Sequence, residues 1–160
     1  MIYLDTSASY PVIPEVKKAL IEAFDRSYPN SAASHLLAES VSKDIEAARS
    51  VLADMIGAYS SEVIFTSGAT ESNNTAFKSV LLANNFPPEK NHIVTTRIEH
   101  KCIFSICDYL QNCGFSVTYL TPDSDGIIHP EMVDAAIKVN TALVSVMHVN
   151  NELGTINPIN

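Results

Sequence analysis

The segment Thr66–Glu71 combines one glycine with several hydroxyl side chains, at the point where a strand pattern gives way to a helix pattern. Gly68 allows a tight turn, and the amides of Ala69 and Thr70 would then open the helix without intrahelical partners. These amides, the Thr70 hydroxyl and the helix dipole favour an anion, so the segment predicts a phosphate site. The alternative is a helix cap, in which Ser67 or Thr70 bonds its own backbone.

A histidine follows the next strand pattern, in the segment Glu99-His100-Lys101. The imidazole of His100 could stack on an aromatic ligand or transfer a proton near neutral pH. The alternative is a turn histidine at the start of a helix.

Two asparagines, Asn150 and Asn151, follow a third strand pattern. A side-chain amide offers both a donor and an acceptor, so it can hold a hydroxyl or phenolate oxygen of a ligand. The alternative is an Asx turn that only ends the strand. His148 lies inside the apolar run, and we expect it to be a hydrogen-bonded core residue.

Other kinds of site find little support in the sequence. No Cys or His spacing is typical of a metal site, so we expect no metal. No Gly-x-Ser-x-Gly elbow is present for a hydrolase serine, and Gly68-Ala69-Thr70 lacks the lysine of a P-loop. The chain has five histidines, and their spacing does not match a metal-binding motif: His35, His92, His100, His129 and His148.

Helical and strand-like patterns alternate along the chain, and they place the three polar segments. Strands that are apolar on both faces and alternate with helices predict an α/β fold, a mostly parallel sheet flanked by helices. Right-handed crossovers put the loops after such strands at one edge, where these sheets bind ligands. Helices are predicted from Pro14 onward, over 37–56 before Gly57, over 70–82, over 101–112 and from Pro130 onward. Strands are predicted over 63–65, 93–96, 115–120 and 142–149.

Composition narrows the function further. The chain has 160 residues, of which 46% are hydrophobic, and its formal charge is −8. An acidic chain lacks the basic face that nucleic acid requires, and no apolar run reaches the roughly 18 residues of a membrane helix. Three cysteines without CxxC spacing fit a reducing compartment. We therefore expect a cytoplasmic protein with free, buried structural thiols.

Together these segments resemble the N-terminal part of pyridoxal-phosphate-dependent cysteine desulfurases of the NifS/IscS type, in the class V aminotransferase family. The matching stretches run in family order across nearly all of the chain. The most specific are Thr66–Ser72 and Met147–Glu152. The others are Ile2–Asp5, Ile64–Phe65, Glu99–Lys101, Gly114–Phe115 with Val117–Leu120, and Val144–Val146.

The resemblance implies a particular fold and domain organisation. It implies fold-type I, the aspartate aminotransferase-like architecture, and a homodimer with active sites near the subunit boundary. Residues 1–160 would form the N-terminal part of a large domain that binds pyridoxal 5'-phosphate, and residues 1–30 an N-terminal arm and helix. The Schiff-base lysine of the family lies beyond this chain, so we expect the domain to be truncated before it.

The resemblance also assigns roles to individual residues. Ala69 and Thr70 would hold the cofactor phosphate. His100 would be the catalytic residue that stacks on the pyridine ring and takes part in proton transfer. Asn151 would hydrogen-bond the phenolic oxygen of the ring. Asn30 would lie near the substrate.

The implied reaction converts L-cysteine to L-alanine and leaves a persulfide sulfur on the enzyme, for iron–sulfur cluster or thio-cofactor assembly. An iron–sulfur scaffold protein is the implied acceptor. One alternative is a non-catalytic truncated or split-gene fragment that needs a complementing chain. Another is a related class V aminotransferase or a selenocysteine lyase.

The first prediction concerns the 160-residue chain alone. Because it lacks the family's Schiff-base lysine, we expect it to bind pyridoxal phosphate weakly at best and to form no alanine from L-cysteine. Amino-acid analysis after incubation with both compounds measures this, with a complete cysteine desulfurase as the positive control. Alanine above the protein-free blank contradicts the expectation.

Overall fold

The computed structural model describes residues 2–82 and 87–159. Contacts divide the chain into two compact units, Met1–Phe65 and Thr66–Asn160. Within the described ranges, no helix is long and apolar enough to cross a membrane.

The first unit is helical. Helix α1 spans Pro14–Arg26 and has a proline in its first turn, where the missing amide costs nothing. Helix α2 spans Leu36–Ile56 and ends at Gly57, which has φ 68° and accommodates the left-handed conformation of the cap. His35 precedes α2 and accepts a hydrogen bond from the Ala38 amide through Nδ1, at 3.2 Å. Both helices were predicted from apolar periodicity.

The predicted strand 63–65 is wrong. A short 3₁₀ helix, Ser60–Glu62, precedes this segment, and the segment itself is irregular. The Val63 carbonyl accepts a hydrogen bond from the Arg49 guanidinium, which also lies 4.8 Å from the Phe65 ring centre. An apolar, β-branched run forms a strand only beside a pairing strand, and none pairs with this segment in the structure that is described.

The second unit is a three-stranded parallel sheet with helices on both faces. Its strand order is β2-β1-β3, and β1 pairs with both neighbours in parallel. The chain passes in turn through α3 (Ala69–Leu81), β1 (His92–Thr96), α4 (Lys101–Asn112), β2 (Ser116–Leu120), α5 (Pro130–Ala136) and β3 (Thr141–Val144). These elements match the predicted alternation.

Alternate residues of β1 face different helices. Ile93 packs with α3 and α4, where Leu110 and Cys107 are fully buried. Val94 packs on the opposite face with Ile128 and with residues of α5. The strand is therefore buried on both faces, as the apolar pattern of a central parallel strand predicts.

His92 joins the three strands at the start of the sheet. Its Nε2 lies 2.8 Å from the Thr118 hydroxyl of β2, and its Nδ1 lies 2.9 Å from the Thr141 hydroxyl of β3. The ring is completely buried, and this burial lowers its pKa. Both ring nitrogens have partners, so His92 has a structural role.

Strand β3 ends earlier than predicted. The Ser145 amide still donates to the Val94 carbonyl at 2.9 Å, but the chain then leaves the sheet. His148 consequently is exposed, so the prediction that it lies in the core is wrong. Cys102 and Cys107 are buried as predicted, whereas Cys113 at the end of α4 is exposed, contrary to prediction.

The second prediction compares two valine-to-alanine changes. Val94→Ala removes two methyl groups from a fully buried position, so we expect the free energy of unfolding to fall by roughly 2 kcal/mol. Val139→Ala is the matched control because Val139 is 92% exposed. Denaturant unfolding measures both. Equal losses for the two variants would show that the core is not where the structure places it.

Candidate functional site

A pocket of about 570 Å³ lies at the carboxyl edge of the sheet, between the loop that follows β1 and the loop that follows β3. His100 comes from the first loop and Asn151 from the second, and both line the pocket. The structure thus brings together two of the predicted site residues. The remaining residues around the pocket are Arg97, Ile98, Glu99, Lys101, Phe104, Asn150, Glu152 and Leu153.

His100 caps helix α4. Its Nδ1 accepts a hydrogen bond from the Cys102 amide at 3.2 Å, and the Cys102 thiol lies 3.1 Å from the same nitrogen. A ring nitrogen that accepts an amide proton cannot carry one, so the proton of the neutral ring resides on Nε2. The predicted alternative, a histidine at a helix start, is therefore also true. The capping role leaves Nε2 for a ligand.

The two asparagines have different roles. Asn150 is 4% exposed, and its Oδ1 accepts hydrogen bonds from the amides of Glu152 and Leu153, both at 2.8 Å. This is the Asx turn that the sequence offered as an alternative. Asn151, the next residue, is exposed and faces the pocket. Asn150 therefore makes the turn that presents Asn151.

Glu99 connects the two loops. Its Oε1 accepts a hydrogen bond from the Met147 amide at 2.7 Å, and the Thr96 hydroxyl lies 3.5 Å away. Burial raises the pKa of the carboxyl, and the Met147 and Thr96 hydrogen bonds partly offset that rise. A raised pKa means that ionised Glu99 costs stability at neutral pH. A neutral acceptor at this position would carry no such cost.

Among the residues that the structure describes, no side chain caps the amino end of α3. Ser67, which the sequence offered as a cap, instead donates from its amide and hydroxyl to Oε2 of Glu71, at 2.7 and 2.6 Å. The amides of Ala69 and Thr70 thus stay available to an external acceptor, and both residues are exposed. The Ser67 hydroxyl, and then its amide, lower the pKa of Glu71.

Helix α3 reaches the His100 loop through a sulfur contact. Asn73, one turn after Thr70, donates from Nδ2 to the Cys102 sulfur at 3.3 Å. Cys102 is also the partner of the His100 ring. Thr70 does not line the pocket, and the link between α3 and the His100 loop is this contact together with the packing of α3 on α4.

Asn30 belongs to the first unit, Met1–Phe65. Its Oδ1 accepts a hydrogen bond from the Ala32 amide at 3.0 Å, which closes a turn before α2. Its predicted substrate role stays a prediction.

Sequence reasoning did not assign Glu99 or Asn73 to the site, and it named Asn150 without its partner in the other loop. Glu99 and Asn150 each precede a predicted site residue and Asn73 lies one turn after Thr70, but their bonds reach partners 29 to 52 residues away. For Glu99 and Asn150, the available sequence signal was that each lies beside another polar residue after a buried strand. That signal does not identify the partner.

The donors at this edge fit pyridoxal phosphate. The open start of α3 and the Thr70 hydroxyl suit a phosphate, the Asn151 amide suits a phenolic oxygen, and the His100 ring suits a pyridine face. A parallel sheet with helices on both faces and polar loops at its carboxyl edge defines an α/β protein that binds its ligand there. The chain belongs to the aminotransferase class-V family, whose model matches residues 2–160.

Curated relatives agree with this membership. The chain is 46% identical over 161 residues to the cysteine desulfurase IscS of Stutzerimonas stutzeri, and 45% identical to that of Pseudomonas aeruginosa strain UCBPP-PA14. Each alignment covers 99% of this chain and 39% of the relative. The chain thus spans about two fifths of the length of these proteins.

Solved structures confirm the predicted fold class. A NifS-like protein superposes with a TM-score of 0.92 at 36% identity, over 98% of this chain and 43% of that one. SspA in complex with cysteine gives 0.91 at 43% identity, over 99% and 45%. DndA from Streptomyces lividans gives 0.84 at 37% identity, over 99% and 44%. The described fold corresponds to part of the large domain of fold-type I enzymes.

The third prediction concerns Glu71. We expect its pKa to lie below the ordinary value, and Ser67→Ala to return it toward that value, because the hydroxyl is the larger cause. The stability that this pair contributes is present above the unfolded-state pKa and is lost as pH falls through the folded-state pKa. Carboxyl ¹³C NMR titration measures both values. Ser79→Ala, on the same helix, is the control. An unchanged pKa in Ser67→Ala would contradict the assignment.

Proposed function

We propose that this chain forms the N-terminal, cofactor-binding part of a pyridoxal-phosphate-dependent cysteine desulfurase. The observation that carries the proposal is the pocket that His100 and Asn151 share, and the uncapped start of α3, a helix that packs on α4, supports it. Similarity to cysteine desulfurases along the whole chain supports it. The reaction breaks the bond between Cβ and sulfur in L-cysteine, transfers the sulfur to an enzyme cysteine and releases L-alanine.

The residues of this chain would bind and orient the cofactor. The amides of Ala69 and Thr70 and the Thr70 hydroxyl would donate to the phosphate. The Asn151 side chain would donate to the phenolic oxygen of the ring. Bound pyridoxal phosphate supplies an electron sink for the amino-acid substrate.

His100 would stack on the ring and hold or move a proton at Nε2. The Cys102 amide fixes its tautomer because it donates to Nδ1. While Nδ1 accepts from the amide, Nε2 carries the proton and donates a hydrogen bond; for Nε2 to accept a proton, the ring would have to carry its proton on Nδ1 and give up the cap. Asn30 would complete the substrate end of the site.

We further propose a homodimer or a complementing chain, acting in the cytoplasm with an iron–sulfur scaffold protein as sulfur acceptor. The apolar residues of α1 support a partner, because none of its residues is buried in this chain and Phe24 is 81% exposed. The free thiols of Cys102, Cys107 and Cys113 fit a reducing compartment.

The fourth prediction tests the activity and the phosphate site. The complete gene product, loaded with pyridoxal phosphate, should form alanine from L-cysteine. Thr70→Val should raise the dissociation constant for the cofactor about 10-fold or more, because a hydroxyl donor to a charged group is lost. Equilibrium dialysis with absorbance detection measures the binding.

Thr75→Val is the matched control, since it makes the same change on an exposed position of the same helix. It should bind the cofactor within about twofold of the wild type. A loaded protein that releases no alanine from L-cysteine would contradict the proposed reaction. A faster reaction with L-selenocysteine than with L-cysteine would favour the selenocysteine lyase alternative.

A further inference from the structure

Two hydrogen bonds join the loop that carries His100 to the loop that carries Asn151. In the first, the Met147 amide donates to Oε1 of Glu99 at 2.7 Å. In the second, Nδ2 of Asn150 donates to the Ile98 carbonyl at 2.8 Å. Both donors belong to the loop that carries Asn151 and both acceptors to the loop that carries His100, and each loop supplies one side chain and one backbone group.

Each bridging side chain immediately precedes a residue that lines the pocket. Glu99 precedes His100, and Asn150 precedes Asn151. A shift of one loop against the other would therefore change the separation of the His100 ring and the Asn151 amide. The carboxyl edge of the sheet alone does not fix that separation, because regular pairing with β1 ends after Ser145.

The rest of each loop is anchored to its own surroundings. The Thr96 hydroxyl accepts from the Ile98 amide at 3.3 Å, and Oδ1 of Asn150 holds the turn to Leu153. Nδ2 of Asn157 donates to the Met147 carbonyl at 2.7 Å. Each loop thus keeps its own shape, and the two bridging bonds control how the loops sit against each other.

We infer that Glu99 and Asn150 are positioning residues, which hold the His100 and Asn151 loops at one separation for cofactor binding. The inference rests on the proposed function. Glu99 and Asn150 also line the pocket, but the positioning role needs no contact with the cofactor, because each residue acts through its neighbour in the chain.

The variants separate hydrogen bonding from charge and from bulk. Glu99→Gln keeps an acceptor for the Met147 amide, whereas Glu99→Met keeps the length of the side chain and removes the acceptor. Asn150→Asp keeps the acceptor of the turn but places a carboxylate oxygen against the Ile98 carbonyl. Glu131→Met is the control, because it removes a carboxylate from an exposed position in α5.

The fifth prediction has two readouts on the complete gene product. In the cofactor-free protein, hydrogen exchange at the Met147 amide should be about tenfold faster in Glu99→Met and unchanged in Glu99→Gln. The dissociation constant for pyridoxal phosphate should rise about tenfold in Glu99→Met and Asn150→Asp. It should stay within about twofold of the wild type in Glu99→Gln and Glu131→Met.

Two results would overturn the positioning role alone. One is cofactor affinity as in the wild type for both Glu99→Met and Asn150→Asp, while Met147 exchanges faster. The other is an equal loss in Glu99→Gln and Glu99→Met, which would assign the effect to charge. A wild-type protein that binds no pyridoxal phosphate would instead overturn the proposed function together with this inference. Thermal unfolding of each variant identifies any that fails to fold. If the variant of one bridging residue does not fold, the variant of the other bridging residue tests the inference.

Discussion

The pairing of strand β1 along both of its edges is the constraint on which the second unit depends. All five of its residues are buried, and both faces are covered by helices, so its backbone must find every partner inside the sheet. The Arg97 amide donates to the Leu120 carbonyl, and the Ser145 amide donates to the Val94 carbonyl. The second of these bonds, between β3 and β1, brings the loops after these two strands to one edge. The pocket is a consequence of backbone hydrogen bonding.

At that edge most polar groups bond one another, and the few that remain define the site. His100 uses Nδ1 to cap α4, Asn150 uses its whole amide on backbone groups, and Glu99 accepts from Met147. Toward the pocket there remain Nε2 of His100 and the side chain of Asn151, together with the charged side chains of Arg97, Lys101 and Glu152. A site built in this way is pre-organised, because its functional groups are adjacent in the chain to groups that are already fixed.

The sequence predicted what depends on local pattern and missed what depends on a partner. Apolar periodicity and Gly57 were sufficient to predict α2. A short apolar run was sufficient to predict β1, which is buried along its whole length. The run 63–65 has the same apolar, β-branched character as β1 but no adjacent strand, so the pattern misled. The end of β3 depended on the Met147 amide, which bonds the Glu99 carboxylate 48 residues away. No local sequence pattern indicates that the Met147 amide bonds Glu99 and does not continue the strand. The exposure of His148 follows from this early end of β3.

The two ends of the proposed cofactor site differ in how firmly they are held. The ring end has two direct bonds between its loops, one of them to a carboxylate, which is the stronger kind. The phosphate end is held by the packing of Phe77 and Leu81 and by the weak bond from Asn73 to the Cys102 sulfur. Cys102 belongs to both ends, because it also contacts the His100 ring. A ligand that bound both ends would therefore contact two groups that share Cys102 as a partner. Ordering the start of α3 would then also restrain the His100 imidazole, on which the pyridine ring of the cofactor would stack.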